Sequence, residues 1–320
     1  MWTRVALATA LGLVVAGSAG ATALDRGFTA AAPVTALDET AADVATALAW
    51  TPRGCEAVVL WQPDTFARRT FRAPGPCPRT STGRGIAAVA AVPGRVVWLA
   101  YAGGNSRDWT LWTATPTARR ARRLRFATAD VYAPAPIMLG NGGEQGIPYA
   151  VGTHVFVVGP NGKRALSWHA PARVVALAQG ANSVGALLAT GSLFVVGLLD
   201  GRQTSYDYPP GAVRAFRIAS IGAVVETRAG IEIRTPVGLT PLRAPAGARL
   251  VGFADGQLVY AVRNELRSSF RSRSRDVLLR RVRVPFTAEF DRRGMAWVSG
   301  RRVCWAVRVN VAPLPLGTSC

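Results

Sequence analysis

His154 and His169 are the only imidazoles in a chain of 320 residues, and they are where general-base or metal chemistry would start. They stand 169 − 154 = 15 residues apart, and neither has a second ligand at a metal-binding spacing such as the H-E-x-x-H of zinc hydrolases. Both read as strand histidines that are packed or hydrogen-bonded, and neither a metal site nor a cofactor is expected. No G-x-S-x-G nucleophile elbow and no P-loop occurs. Asp and Glu together number 18. Hydrolysis of a glycosidic bond needs two of them converging across a pocket, and separate segments of a repeat fold can supply such a pair without a local motif. Asp108, Asp130, Glu144, Asp200, Asp255 and Asp291 lie in or beside turns, where bonding of the local backbone is the expected role.

The more distinctive chemistry is basic. Net charge is +20, and Lys163 is the single lysine, so the excess is arginine. Arg119 to Arg125 holds five arginines in seven residues, and Arg263 to Arg283 holds eight with serines interleaved. The planar guanidinium binds phosphate and carboxylate through paired hydrogen bonds. Arg119, Arg120, Arg122 and Arg123, with Arg267, Arg271, Arg273 and Arg275, are therefore the candidate anion-binding residues. The plainer reading is a solvated surface, with charge protecting an exposed sheet edge.

The N-terminus has the order of a secretory signal: Arg4, an apolar run from Val5 to Ala16, then small residues with A-x-A patterns ending at Ala21 and Ala23. Residues 1–23 are read as a signal peptide, with an uncleaved anchor over Val5–Leu24 as the alternative. No later segment is long and apolar enough for a membrane span. An exported chain with four cysteines, none in a C-x-x-C pair, is expected to form disulfides. Cys55 with Cys77 and Cys304 with Cys320 closes the shortest loops; the two other connectivities stay open.

The elements that would position these residues follow from a repeat. Proline recurs at Pro74, Pro171, Pro209, Pro245 and Pro285, with gaps of 97, 38, 36 and 40 residues, the first spanning two units. The third unit shows the internal order: Ile137–Leu139, Ile147–Val151, His154–Val158 and Arg164–Trp168, separated by glycine turns. Units of about 40 residues with four short strands make an all-β, seven-bladed β-propeller, with six or eight blades as alternatives because the first and last units are hard to complete. The first unit is read from Val44 to about Phe71. Residues 24–37 form an N-terminal segment that adds an outer strand to the last blade, and 38–320 the propeller domain. Trp98, Trp109 and Trp112 are expected to fill space between blades rather than to form a stacking platform.

Asn161-Gly162-Lys163-Arg164 after Pro160, and Asp255-Gly256-Gln257-Leu258-Val259-Tyr260, resemble the S-P-D-G-[KR]-x-[IL] turn of TolB-type and WD40-like propellers. Two of seven units carry it, so the resemblance supports the fold and implies no activity. The expectation is an exported, non-enzymatic binding or scaffolding module for a protein or an anionic cell-wall or extracellular polymer. The alternative is an extracellular enzyme acting on polysaccharide at the mouth of the central channel.

Overall fold

The computed structural model describes residues 26–307 except 42, 50–54, 74–82, 181, 221, 243 and 271–275. Among them every regular element is a strand, and the strands assemble into seven four-stranded antiparallel sheets. The chain is a seven-bladed propeller. Blade 2 runs from Arg84–Val92 at the centre outward to Arg122–Asp130, blade 3 from Ile137–Leu139 to Arg164–His169, and blade 4 from Val174–Gln179 to Gln203–Tyr206. Blade 5 runs from Ala215–Ala219 to Gly238–Pro241, and blade 6 from Arg249–Ala254 to Val277–Arg281. Pro171, Pro209, Pro245 and Pro285 fall in the crossovers that lead to the next innermost strand. A residue without an N–H costs no ladder bond there.

Blades 7 and 1 show how the ring closes. Blade 7 is Phe286–Phe290, Gly294–Ser299 and Arg302–Val307, and its outermost strand is Arg26–Thr29, in antiparallel register with Arg302–Trp305. After a crossover at 30–33, Val34–Thr40 forms the innermost strand of blade 1, followed by Asp43–Leu48, Ala57–Gln62 and Ala67–Phe71. Blade 1 thus begins at Val34, a full strand before Val44, and the N-terminal segment is shared between two blades. Phe28, on the closing strand, meets Trp61 of blade 1 edge-on with ring centres 5.1 Å apart.

The core is divided among seven seams. Each hydrophobic cluster joins two consecutive blades, and one joins blade 7 to blade 1 through Trp305, Val303, Val44 and Trp61. Because each sheet is packed on both faces, middle strands such as Ala57–Gln62, Ile147–Val151 and Gln257–Val262 are buried along nearly their whole length, whereas outer strands alternate. The fourth strand of blade 3, for example, exposes Arg164, Ala165, Ser167 and His169 while Leu166 and Trp168 turn inward. Four innermost strands carry a bulge near their start, between Val34 and Ala36, Ile86 and Ala88, Val174 and Ala176, and Leu250 and Gly252. A bulge sharpens the local twist, which lets a sheet turn from the channel wall toward the rim.

Candidate functional site

Strands alternate in direction, so the ends of all innermost strands and the connections between third and fourth strands open on one face of the ring. On that face lies a cavity of about 620 Å³, the channel mouth, lined by the innermost strand ends of blades 1, 3, 4, 5, 6 and 7. Its wall holds six carboxylates, Asp38, Glu39, Glu144, Asp255, Glu289 and Asp291, and two arginines, Arg217 and Arg292. A third of the chain's 18 acids are therefore gathered at one spot of a strongly basic protein.

Most of these acids bind the ring to itself. Asp38 Oδ2 accepts from the backbone N–H of Ala91 in blade 2 at 2.7 Å and of Gly142 in blade 3 at 3.0 Å; Oδ1 accepts from the Asn141 amide at 3.0 Å. One side chain thus fastens three blades, and blade 2 contributes no residue to the wall. Asp291 of blade 7 accepts from Ala41 N–H of blade 1 through Oδ2, and from Arg293 and Gly294 N–H through Oδ1. Glu39 Oε1 accepts from the Trp305 indole at 3.4 Å. Away from the mouth the same device recurs, with Asp43 taking Gly94 N–H and Glu226 taking Leu250 N–H, both at 2.7 Å. Carboxylates suit these seams because they accept several hydrogen bonds, and a charged acceptor makes each one stronger.

Burial is the main force on Asp38, which is 1% exposed, and the nearby Glu289 carboxylate adds to it. Together they push its pKa up to about 7 despite the three donors that favour the ion. Burial also raises Glu289, against the pull of Arg217, whose guanidinium stands 2.5 Å away in a salt bridge between blades 5 and 7. Arg217→Ala leaves Glu289 without its countercharge and should lower stability by about 2 kcal/mol. Adding Glu289→Gln removes that charge and should recover part of the loss, as read by guanidinium unfolding of the two variants.

The turn role expected of the acids holds for Asp130, Asp200 and Asp291, which accept from Tyr132, Arg202 and Arg293 N–H. Asp108 bonds the Thr128 hydroxyl of the neighbouring strand. Glu144, Asp255 and Asp291, read from sequence as turn residues, line the mouth. Asp38, Glu39 and Glu289 had no signal except acids breaking otherwise apolar strands, and Asp38 and Glu39 fell outside the first unit as read.

The candidate arginines are divided by the ring. Arg119 and Arg120 lie on the turn between the third and fourth strands of blade 2, at the rim of the mouth face, and Arg122 and Arg123 begin the fourth strand; all four are exposed. Arg267 is on the third strand of blade 6, paired with Glu265 at 2.7 Å. Blades 2 and 6 are not neighbours, so these described residues share no patch; Arg271, Arg273 and Arg275 lie outside the described residues. Cys55 and Cys304 are buried in blades 1 and 7, and Cys77 and Cys320 lie outside the described residues.

Trp98 and Trp112 face each other across two strands on the seam with blade 1, and Trp109 is buried on the seam with blade 3. No open stacking platform results. Trp98 and Trp112 do border a second cavity of about 250 Å³ between blades 1 and 2, walled also by Phe71, Tyr101 and the Arg84–Glu56 pair, in which Arg84 Nε donates to both carboxylate oxygens at 2.8 and 3.0 Å. His154 and His169, read as packed or hydrogen-bonded strand histidines, are direct cross-strand partners in blade 3 and hydrogen-bond each other. Among the described residues no three His, Cys, Asp or Glu side chains gather as a metal site, and no helix is long and apolar enough to cross a membrane.

The solved structures similar to this chain include YCF48 from Cyanidioschyzon merolae, with a TM-score of 0.57 and 10% identity over 88% of this chain and 98% of that one. A chain of a crystal structure of the mitotic checkpoint complex has a TM-score of 0.55 and 11% identity, with 97% and 100% covered. The likeness is one of fold. At that level the generic propeller resemblance holds. No family model and no curated protein matches the sequence.

Proposed function

We propose that this chain is an exported, non-enzymatic binding module that engages its partner through the channel-mouth face. The observation that carries the reading is the state of the mouth's acids. Asp38, Glu289 and Asp291 are taken up by neighbouring blades, so the concavity is rigid and polar but has little acid–base capacity to lend a substrate. A propeller held in this way presents a fixed surface of turns, the usual setting for recognition. The chain of similar shape in the mitotic checkpoint complex belongs to a protein assembly, which supports a protein partner here. Export to the periplasm, the cell surface or the medium rests on the signal pattern and the even cysteine count, with Cys55–Cys77 and Cys304–Cys320 as the proposed disulfides.

The partner carries negative charge where it meets blade 2. Arg119, Arg120, Arg122 and Arg123 are exposed on that rim, and the ion pairs among the described residues use other arginines. The purified chain should bind immobilised polyphosphate or heparin at low salt and elute as salt rises. Changing those four arginines to serine should lower the eluting salt concentration well below that of a charge-matched variant lacking exposed Arg173, Arg202, Arg214 and Arg228. Equal elution of the two variants would reduce the attraction to bulk charge, and no retention at all would remove the anionic partner.

One observation favours the enzyme reading: a buried carboxyl held near neutrality beside a second carboxylate, the arrangement a general acid requires. Against it, Asp38 is almost inaccessible and both of its oxygens are bonded within the ring. Binding is the better account of the same residues.

A further inference from the structure

We infer that His154 and His169 form a surface site for a divalent transition-metal ion, at the opposite end of blade 3 from the channel mouth. His154 opens the third strand and His169 closes the fourth, and the register sets them directly opposite each other. His154 Nε2 lies 3.1 Å from His169 Nδ1, with the ring centres 4.4 Å apart and the planes crossed at 77°. Phe156 lies nearly parallel to the His154 ring, with centres 6.4 Å apart. Both histidines are exposed, and they are the only two in the chain, so its whole imidazole content is placed as one facing pair.

The separation matches a chelate. With metal–nitrogen bonds of about 2.0 to 2.1 Å, two nitrogens at adjacent positions of a square-planar or tetrahedral ion stand about 2.8 to 3.4 Å apart. The hairpin already holds that distance, so binding requires no movement of the backbone. It requires one proton to relocate and the side chains to turn about χ1 and χ2, because in the hydrogen bond the two nitrogens point at each other, whereas a chelate needs both lone pairs aimed at the ion. The ring that donates in the present hydrogen bond shifts its proton to its other nitrogen through solvent, after which both facing nitrogens offer lone pairs and no net proton is released. Two neutral imidazoles without a carboxylate favour Cu²⁺, then Ni²⁺ or Zn²⁺, over Mg²⁺ or Ca²⁺, and water fills the remaining positions.

The test uses the mature chain without a histidine tag. Titration with Cu²⁺ should show one tight equivalent whose electron paramagnetic resonance spectrum carries hyperfine structure from two imidazole nitrogens. His154→Gln and His169→Gln should each weaken that equivalent by on the order of a hundredfold, the loss expected when two linked contacts become one. Both positions are exposed, and circular dichroism with an unfolding midpoint checks each variant; if one fails to fold, the other decides. Absence of the equivalent in the unaltered chain, or its persistence at unchanged affinity in a folded Gln variant, would overturn the site.

Discussion

Gly142→Ala should lower the unfolding free energy by on the order of 4 kcal/mol, or leave the chain unable to fold. The cause is space, because a Cβ at this position would lie 1.6 Å from the Ala91 carbonyl oxygen and 2.7 Å from its carbon, both backbone atoms of blade 2. Blade 3 would have to move away from blade 2, and the Gly142 N–H would lose its place on Asp38 Oδ2. No side-chain rotation relieves a contact with main chain in a close-packed interior. Gly159 is the control, since an added Cβ there meets its nearest atom at 3.4 Å. Gly159→Ala should stay within about 1 kcal/mol of the parent. Paired chemical unfolding curves check both, and similar midpoints for the two variants would refute the account of this seam.

The difference between these glycines was not legible in the sequence, where Gly140-Asn141-Gly142-Gly143 and Gly159-Pro160-Asn161-Gly162 both read as turns. Turn chemistry is local, and it located the strands of blade 3 almost to the residue: Ile147–Val151 and His154–Val158 lie where the glycines set them. What a turn touches across the ring is not local. The same limit explains Val34–Thr40, a strand whose Asp38 and Glu39 conflict with the small apolar pattern of an innermost position until the donors of blades 2, 3 and 7 are in view. It explains the histidines as well, since a spacing of 15 residues signifies nothing until a hairpin folds His169 back onto His154. Periodicity reports which face of an element is buried, whereas the site is made of contacts between elements far apart in the chain.

Asp38 should make stability fall as pH rises from about 4 to 7. Its carboxyl titrates near the model-peptide value of 3.8 when unfolded and at about 7 in the ring. Through that window the folded state holds a proton the unfolded state has released, so the term favouring the fold is complete below pH 4 and lost as pH climbs through 7. Taken alone it amounts to on the order of 4 kcal/mol between those limits. Glu289, also raised by burial, acts in the same sense. Glu265, lowered by Arg267 and Arg281, acts oppositely but lies at the surface, where solvent screens it. Asp38→Asn should flatten the slope while keeping the fold, because one amide oxygen can still accept from Ala91 and Gly142 N–H and the Asn141 amide can turn to accept in its place. Asp38→Ala should be worse than Asp38→Asn at every pH, by about 3 kcal/mol, since it leaves one buried and one half-buried backbone N–H without an acceptor. Unfolding free energies of the three proteins at pH 4, 5.5 and 7 separate the terms: a slope that survives in Asp38→Asn assigns the pH dependence to another group, and an alanine variant as stable as the asparagine one denies that Asp38 holds blades 1, 2 and 3 together.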